Sequence, residues 1–159
     1  MGETLKNLLG VCLLQKGPQD IPYSPSSLLA LIAAASGLSH IAAENIPRAA
    51  NTTLQTLIAA LFGLFFIYAA LALRGYKERF MQSATAIFGA DAIIALPVAL
   101  ATFSLDGKSP QQAPTMALII LLLWLWNISI LGHIFRHALE VRLPLGIIIA
   151  LGFSLLGFQ

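Results

Sequence analysis

The chain has 159 residues, of which 58% are apolar and only 10% are charged, and its mean hydropathy is +0.84. Soluble domains carry about 25% charged residues, so this composition excludes a protein whose whole surface faces water. The net charge of +2 comes without a basic patch interleaved with aromatic residues, and we expect no nucleic-acid partner. The single cysteine, Cys12, excludes an internal disulfide. We expect one membrane domain over residues 1–159.

Residues 3–16 predict a short helix ahead of the long apolar runs. Leu5, Leu8, Leu9, Cys12 and Leu13 recur at helical spacing and form an apolar stripe. The segment is too short to cross a bilayer, which favours an amphipathic helix lying in the cytoplasmic interface. Such a helix serves either as a plain membrane anchor or as a docking helix for a partner.

Five apolar runs follow this segment, at about residues 24–43, 53–73, 81–103, 113–139 and 143–158. The first three approach or exceed the roughly 20 residues that a helix needs to cross about 30 Å of hydrocarbon. The fourth can cross with tilt, and the fifth is short. The predicted fold class is therefore an all-α integral membrane protein with five transmembrane helices, preceded by the interfacial helix.

The basic residues predict the orientation of these five spans. On one side lie the N-terminal segment and the second and fourth loops, with seven basic residues: Lys6, Lys16, Arg74, Lys77, Arg79, Arg136 and Arg142. The other side holds two, Arg48 and Lys108. Because cytoplasmic loops are enriched in Lys and Arg, we expect a cytoplasmic N-terminus and an external C-terminus. A compact chain of this kind fits the inner membrane of a bacterium, with the C-terminus in the periplasm.

Two histidines, His133 and His137, lie four residues apart in the stretch WLWNISILGHIFRHALEVR and so share one helix face. One interpretation is a ligand pair completed by a carboxylate. Zinc, however, takes three or four protein ligands, and a haem needs histidines that face each other at similar depth, whereas His40 lies near the opposite end of the first span. The alternative is a helix end whose polar side chains reach the headgroups, and we expect no metal and no cofactor.

Asp91, in the stretch IFGADAIIALP, is the only acid inside any predicted span and lies near the bilayer centre. A charged residue there costs about 2.5–3.5 kcal/mol on insertion scales, so it needs a partner within the bundle or loses its charge. Asn127 lies at a similar depth in the fourth span, and His133 is shallower but within reach if the helices tilt. These three residues form the predicted intramembrane polar cluster. Its role is either a structural contact between helices or a proton-linked or substrate-binding site.

The stretch FGADAIIALP and the turn ILGHIFRHALEVRLPLGIIIALG, together with the order of spans, resemble the bacterial branch of the Yip1-type family of small multi-pass membrane proteins. The resemblance covers residues 24–158 and is mainly architectural. It implies a helical bundle that acts in membrane organisation or as a partner of other membrane proteins, without a cofactor.

The function that we expect is non-enzymatic, because the chain lacks a serine–histidine–acid set at matching depths, an HExxH motif and a glycine-rich phosphate loop. We expect an accessory, scaffold or assembly subunit of a membrane complex, whose partners are the lipid bilayer and other membrane proteins or further copies of itself. The alternative is a small oligomeric transporter or channel that uses Asp91.

Overall fold

The computed structural model describes residues 2–44, 51–103 and 113–157. Nearly all of these residues are helical, and none of them lies in a strand. Three-residue 3-10 turns at Pro18–Asp20 and Lys77–Arg79 come before the second and fourth helices. The α-helices, in chain order, are α1 (Gly2–Cys12), α2 (Pro25–Glu44), α3 (Thr52–Arg74), α4 (Phe80–Phe103), α5 (Ala113–Ala138) and α6 (Leu143–Gly157).

Within the described ranges, four stretches are long and apolar enough to cross a membrane. They are Pro25–Ala43, Thr52–Arg74, Lys77–Leu100 and Ala117–Ala138. The last helix, α6, is also apolar but has only 15 residues, which corresponds to about 22 Å at 1.5 Å per residue. The structure thus confirms the helical, membrane-type class of fold in four of the five predicted spans.

The centre of the bundle is the first half of α4. Its residues 83–90, SATAIFGA, are buried on every side of the helix. Most of them are small, and small residues let neighbouring backbones approach closely in a membrane protein. Helix α2 packs closely along α4, and the contact between these two helices is the most extensive among the described residues. The buried α2 residues Leu28, Ala35 and Ala42 recur every seven positions and so return to one face.

Helices α5 and α6 form an antiparallel pair whose backbones touch. A Cβ atom on Gly146 would lie 2.5 Å from the carbonyl oxygen of Gly132, which is closer than real side chains approach. Beside this contact, a cluster of phenylalanine rings joins α3 to the pair, and the ring centroids of Phe66 and Phe153 lie 5.2 Å apart. Glycine at the crossing and aromatic rings around it therefore hold the carboxyl-terminal hairpin against the bundle.

Helix α1 lies against the bundle, and only part of its predicted apolar stripe faces outward. Leu8 and Cys12 are buried, whereas Leu5, Leu9 and Leu13 are exposed. The buried side of the helix also includes the polar residues Thr4 and Asn7 together with Val11. The helix thus has two apolar sides, one packed on protein and the other open to the surroundings. The position that the sequence predicted, flat in the membrane interface, is not established by these contacts.

Helix α1 packs against α4 through Leu8, whose side chain lies directly over Gly89. A Cβ atom on Gly89 would lie 2.5 Å from one methyl carbon of Leu8 and 2.7 Å from the other. Four residues later, Cys12 is 3% exposed. Burial, with the nearby carboxyl group of Asp91 as a second cause, raises the pKa of the Cys12 thiol to about 11. Because the thiolate is the reactive form, a docked α1 makes Cys12 inert at neutral pH.

A turn stabilised by Asn7 connects α1 to α2. The side-chain amide of Asn7 donates to the carbonyl oxygen of Asp20 at 2.6 Å, and Lys16 Nζ donates to Asn7 Oδ1 at 2.7 Å. Gln82 of α4 donates to the carbonyl oxygen of Ile21 at 3.0 Å, which fixes the turn to the first residues of α4. Asn7, which lies outside the predicted apolar stripe, thus organises this turn.

We predict that Gly89→Val displaces α1 from α4 and exposes Cys12. The added methyl groups would occupy the space of the Leu8 side chain, and the exposed thiol would return toward its usual pKa of about 8.5. The rate of reaction with N-ethylmaleimide in mild detergent at pH 7.5 should rise roughly tenfold or more. The matched control is Gly37→Val, because a Cβ atom on Gly37 meets nothing within 4 Å. An unchanged rate in Gly89→Val would contradict the docked position of α1.

Candidate functional site

Asp91 and Asn127 join the central helix α4 to α5 in the interior of the bundle. The side-chain amide nitrogen of Asn127 donates to Asp91 Oδ1 at 3.2 Å, as their matching depths along the two predicted spans suggest. Both side chains are half-buried. The other amide atom of Asn127, Oδ1, is buried and has no hydrogen-bond partner among the described residues. Asn127 Oδ1 is therefore an unpaired acceptor, and the hydroxyl group of a protonated Asp91 side chain could donate to it.

Helix α1 ends next to this pair. The indole nitrogen of Trp126, the residue before Asn127, donates to the carbonyl oxygen of Cys12 at 3.2 Å. That carbonyl lies at the carboxyl end of α1, where helix carbonyls lack a partner within the helix. The Asp91 side chain is also near enough to the Cys12 thiol to interact with it electrostatically. The end of α1 thus lies beside the Asp91–Asn127 pair, a neighbour that the spacing of the apolar residues did not predict.

His133, the third member of the predicted cluster, makes its polar contact elsewhere. Its Nε2 atom lies 3.0 Å from the carbonyl oxygen of Lys16, in the turn after α1. His133 is six residues beyond Asn127, a rise of about 9 Å along α5, and the structure records no contact between it and Asp91. The predicted cluster is thus present as a pair, and His133 instead ties α5 to the N-terminal turn.

The two histidines lie side by side, as their spacing predicts. The ring centroids of His133 and His137 are 4.6 Å apart in an edge-to-face arrangement. Among the described residues, no group of three or more histidine, cysteine, aspartate or glutamate side chains is placed to hold a metal ion. With one ring directed at the Lys16 carbonyl, this part of the chain offers no third ligand for the pair.

The loop after α3 and the turn after α5 are bound to each other. Arg79 Nη2 donates to Glu140 Oε1 at 2.7 Å, and the hydroxyl group of Tyr76 donates to Glu140 Oε2 at 2.8 Å. The Arg79 guanidinium also lies over the Tyr76 ring, 4.5 Å from its centroid. Arg74 donates through Nε and Nη2 to the carbonyl oxygen of Leu139, both at 3.3 Å. Arg74 and Arg79 thus place positive charge at the end of α5, where unpaired carbonyl groups favour cations.

Glu140 is the residue on which this connection depends. Its hydrogen bonds from Arg79 and Tyr76 lower the pKa of its carboxyl group. Its backbone takes a left-handed conformation with φ of 52°, which ends the helix and turns the chain toward α6. A glutamate is an uncommon choice for this conformation, and the sequence held no signal for it beyond the following proline.

The relationships of the chain to known proteins do not add to this description. No protein-family model matches the chain. No curated protein matches it, and neither does any solved structure. The function must therefore be argued from the geometry.

We predict that Asp91→Asn leaves the thermal stability in detergent nearly unchanged. The amide keeps the shape and an oxygen acceptor, and its NH2 group can reach the unpaired Asn127 Oδ1. Asp91→Leu should lower the stability by about 1–2 kcal/mol, because the Asn127 side chain would lose its hydrogen bond to Asp91, the one it makes among the described residues. The stability is measured as the melting temperature, with unfolding monitored by size-exclusion chromatography. Equal stability of Asp91→Leu and the unmodified protein would show that the pair contributes nothing to the bundle.

Proposed function

We propose that this chain is a non-enzymatic integral membrane protein that packs against other membrane proteins as an accessory, scaffold or assembly subunit. In this proposal it crosses the inner membrane of a bacterium five times, with the N-terminus in the cytoplasm and the C-terminus in the periplasm. Membership of the Yip1-type family is part of the same proposal, since such a bundle acts through contacts within the membrane.

The observation that carries the proposal is the uncovered first half of α5. Residues 118–122, five consecutive apolar positions, are all exposed. At 3.6 residues per turn, five consecutive residues point in every direction around a helix. This part of α5 is therefore at least partly exposed on every side among the described residues, in contrast to residues 83–90 of α4, which are enclosed on all sides. In a soluble protein such a segment would be an aggregation hazard, whereas in a membrane it contacts lipid or another protein.

The difference in length between α5 and α6 explains why this part of α5 is uncovered. Helix α5 has 26 residues and α6 has 15. The indole nitrogen of Trp124 donates to the hydroxyl group of Ser154 at 3.1 Å, which places the end of α6 near the middle of α5. Beyond that point only residues 155–157 of α6 remain among the described residues to cover α5. A partner helix that packs beside α6 would fill the space.

The polar groups within the apolar helices support a structural role because most of their contacts stay within the chain. Asn127 bonds to Asp91, Trp124 to Ser154 and Trp126 to the Cys12 carbonyl. Thr85 and Ser129 donate to carbonyl oxygens of their own helices. Each of these contacts joins helices or satisfies a hydroxyl group. This use of polar side chains is typical of helix packing in membranes.

The proposed orientation is supported by which segments meet at one end of the bundle. The turn after α1 contacts α4 through Gln82, and the loop after α3 contacts the turn after α5 through Arg79 and Glu140. The N-terminal segment and the second and fourth loops, which hold the seven basic residues, thus lie together. Arg48 and Lys108 fall outside the described residues. A fifth crossing by α6 requires the bilayer to accommodate a helix of about 22 Å.

We predict that a photo-reactive amino acid at Leu118 or Leu122 forms cross-links to one discrete membrane protein in native membranes. These side chains are 55% and 57% exposed on the uncovered half of α5. The matched control is Leu57, which is 58% exposed on α3 and also lies in the outer half of the bundle. Mass spectrometry of the cross-linked bands identifies the partner, and a second copy of this chain would count as one. Cross-links to lipid alone at Leu118 and Leu122 would refute the proposed role.

We predict that cysteines at positions 77 and 108 are labelled from opposite sides of the membrane. Lys77→Cys and Lys108→Cys are introduced separately into a Cys12→Ala background, which removes the native thiol. A membrane-impermeant maleimide should reach position 108 in intact cells and position 77 only after the membrane is opened. Labelling of both positions in intact cells, or of neither, would contradict the proposed topology.

A further inference from the structure

A polar cavity of about 460 Å³ opens at the basic end of the bundle. It lies between the Pro18–Asp20 turn, the first residues of α4 and the last residues of α5. Its volume falls within the roughly 300–1,000 Å³ that is usual for sites of small ligands. The polar side chains that line it are Gln19, Arg79, Gln82, Ser83, Arg136, His137 and Glu140.

The charge that this cavity offers comes from Arg136. Glu140 also lines the cavity, but both of its carboxylate oxygens accept hydrogen bonds, from Arg79 and Tyr76. Asp20, in the neighbouring turn, is not one of the lining residues, and its carboxylate accepts a hydrogen bond from the backbone N–H of Gly17 at 2.8 Å. Arg136 is exposed, as Arg142 is, and its side chain has no hydrogen-bond or ion-pair partner among the described residues. The cavity therefore holds a guanidinium group without a matching anion.

Ser83 supplies the second observation. Ser83 is one of the residues at the wall of the cavity and is 1% exposed, and its buried hydroxyl oxygen has no hydrogen-bond partner among the described residues. A buried hydroxyl group without a partner loses its bonds to water and gains nothing in return. In contrast, the hydroxyl groups of Thr85 and Ser129 donate to carbonyl oxygens of their own helices. The unpartnered hydroxyl is therefore a particular property of Ser83, at the wall of the cavity.

We propose that this cavity binds a phosphate-type anion, with Arg136 as its charged ligand and the Ser83 hydroxyl and the His137 ring as hydrogen-bonding groups. A phosphate group offers several acceptor oxygens pointing in different directions, and guanidinium groups bind it through paired N–H donors. The same chemistry is found in the headgroup of an anionic phospholipid and in a free phosphate. The site goes beyond the proposed scaffold role, and only its lipid form rests on the placement of the basic end at the membrane surface.

The test measures binding by native mass spectrometry of the full chain released from detergent. One arm adds phosphatidylglycerol, with phosphatidylcholine as the neutral reference, and the other adds inorganic phosphate. We expect phosphatidylglycerol or inorganic phosphate to bind more tightly than the reference, and Arg136→Gln to weaken that binding roughly tenfold. Preference for the lipid assigns a headgroup site, and binding of phosphate alone assigns a soluble ligand. If neither binds above the reference, the proposal is wrong.

Two matched controls separate a built site from general attraction to positive charge. Arg142→Gln removes the same charge from an exposed residue that does not line the cavity, and it should change the binding less than twofold. Ser83→Ala should weaken binding several-fold while the protein stays folded, since it removes a hydroxyl group without a partner. Ser129→Ala, at an exposed hydroxyl group outside the cavity, should leave the binding unchanged. Equal losses in Arg136→Gln and Arg142→Gln would overturn the proposal.

Discussion

The enclosure of α4 over residues 83–90 is the constraint on which the rest of the fold depends. A helix surrounded on every side must present small side chains wherever a neighbour comes close, and this segment contains two alanines, a serine and a glycine before its last alanine. Helix α2 follows this surface, α1 inserts Leu8 over Gly89, and α5 makes its polar contact with Asp91 one residue beyond the enclosed segment. The bundle is therefore dense around the first half of α4 and open farther along.

The long apolar runs predict α3, α4 and α5 closely. The runs at about 53–73, 81–103 and 113–139 correspond to helices at 52–74, 80–103 and 113–138. Their success has a simple cause, since a helix that crosses hydrocarbon must satisfy its backbone internally and show apolar side chains throughout. Depth counting along two such helices also placed Asp91 beside Asn127, because both rise by the same amount per residue.

The prediction for α1 was less informative because lipid and protein interior are equally apolar. A stripe of leucines shows which residues avoid water, but not which of them touch lipid and which touch another helix. Leu5 and Leu8 are chemically identical, and the difference between them is the glycine that faces Leu8. The sequence also did not indicate the contact of His133 with the N-terminal turn, for a related reason. The partner of His133 is a backbone carbonyl, and every residue in the chain carries one.

The basic residues have two different roles, and a count along the sequence does not distinguish them. Arg74 and Arg79 donate to the last carbonyl groups of α5, so they are part of the architecture of the helix end. Arg136 and Arg142 make no such contact among the described residues. A topology argument counts all four equally, since charge alone determines which side of the membrane a loop prefers. The fold distinguishes them, because removal of Arg79 would leave Glu140 without its ion pair.

The unequal lengths of α5 and α6 have a consequence for the surrounding bilayer. In the proposed five-span arrangement, the protein presents a helix of about 39 Å and a helix of about 22 Å, side by side, to hydrocarbon about 30 Å thick. Lipids next to α6 would shorten or tilt their chains, whereas α5 itself must tilt to fit. The bilayer would therefore be thinner on one flank of the molecule than on the other. Such asymmetry attracts neighbours that relieve the mismatch. The free-energy cost of the mismatch at α6 grows with the thickness of the membrane.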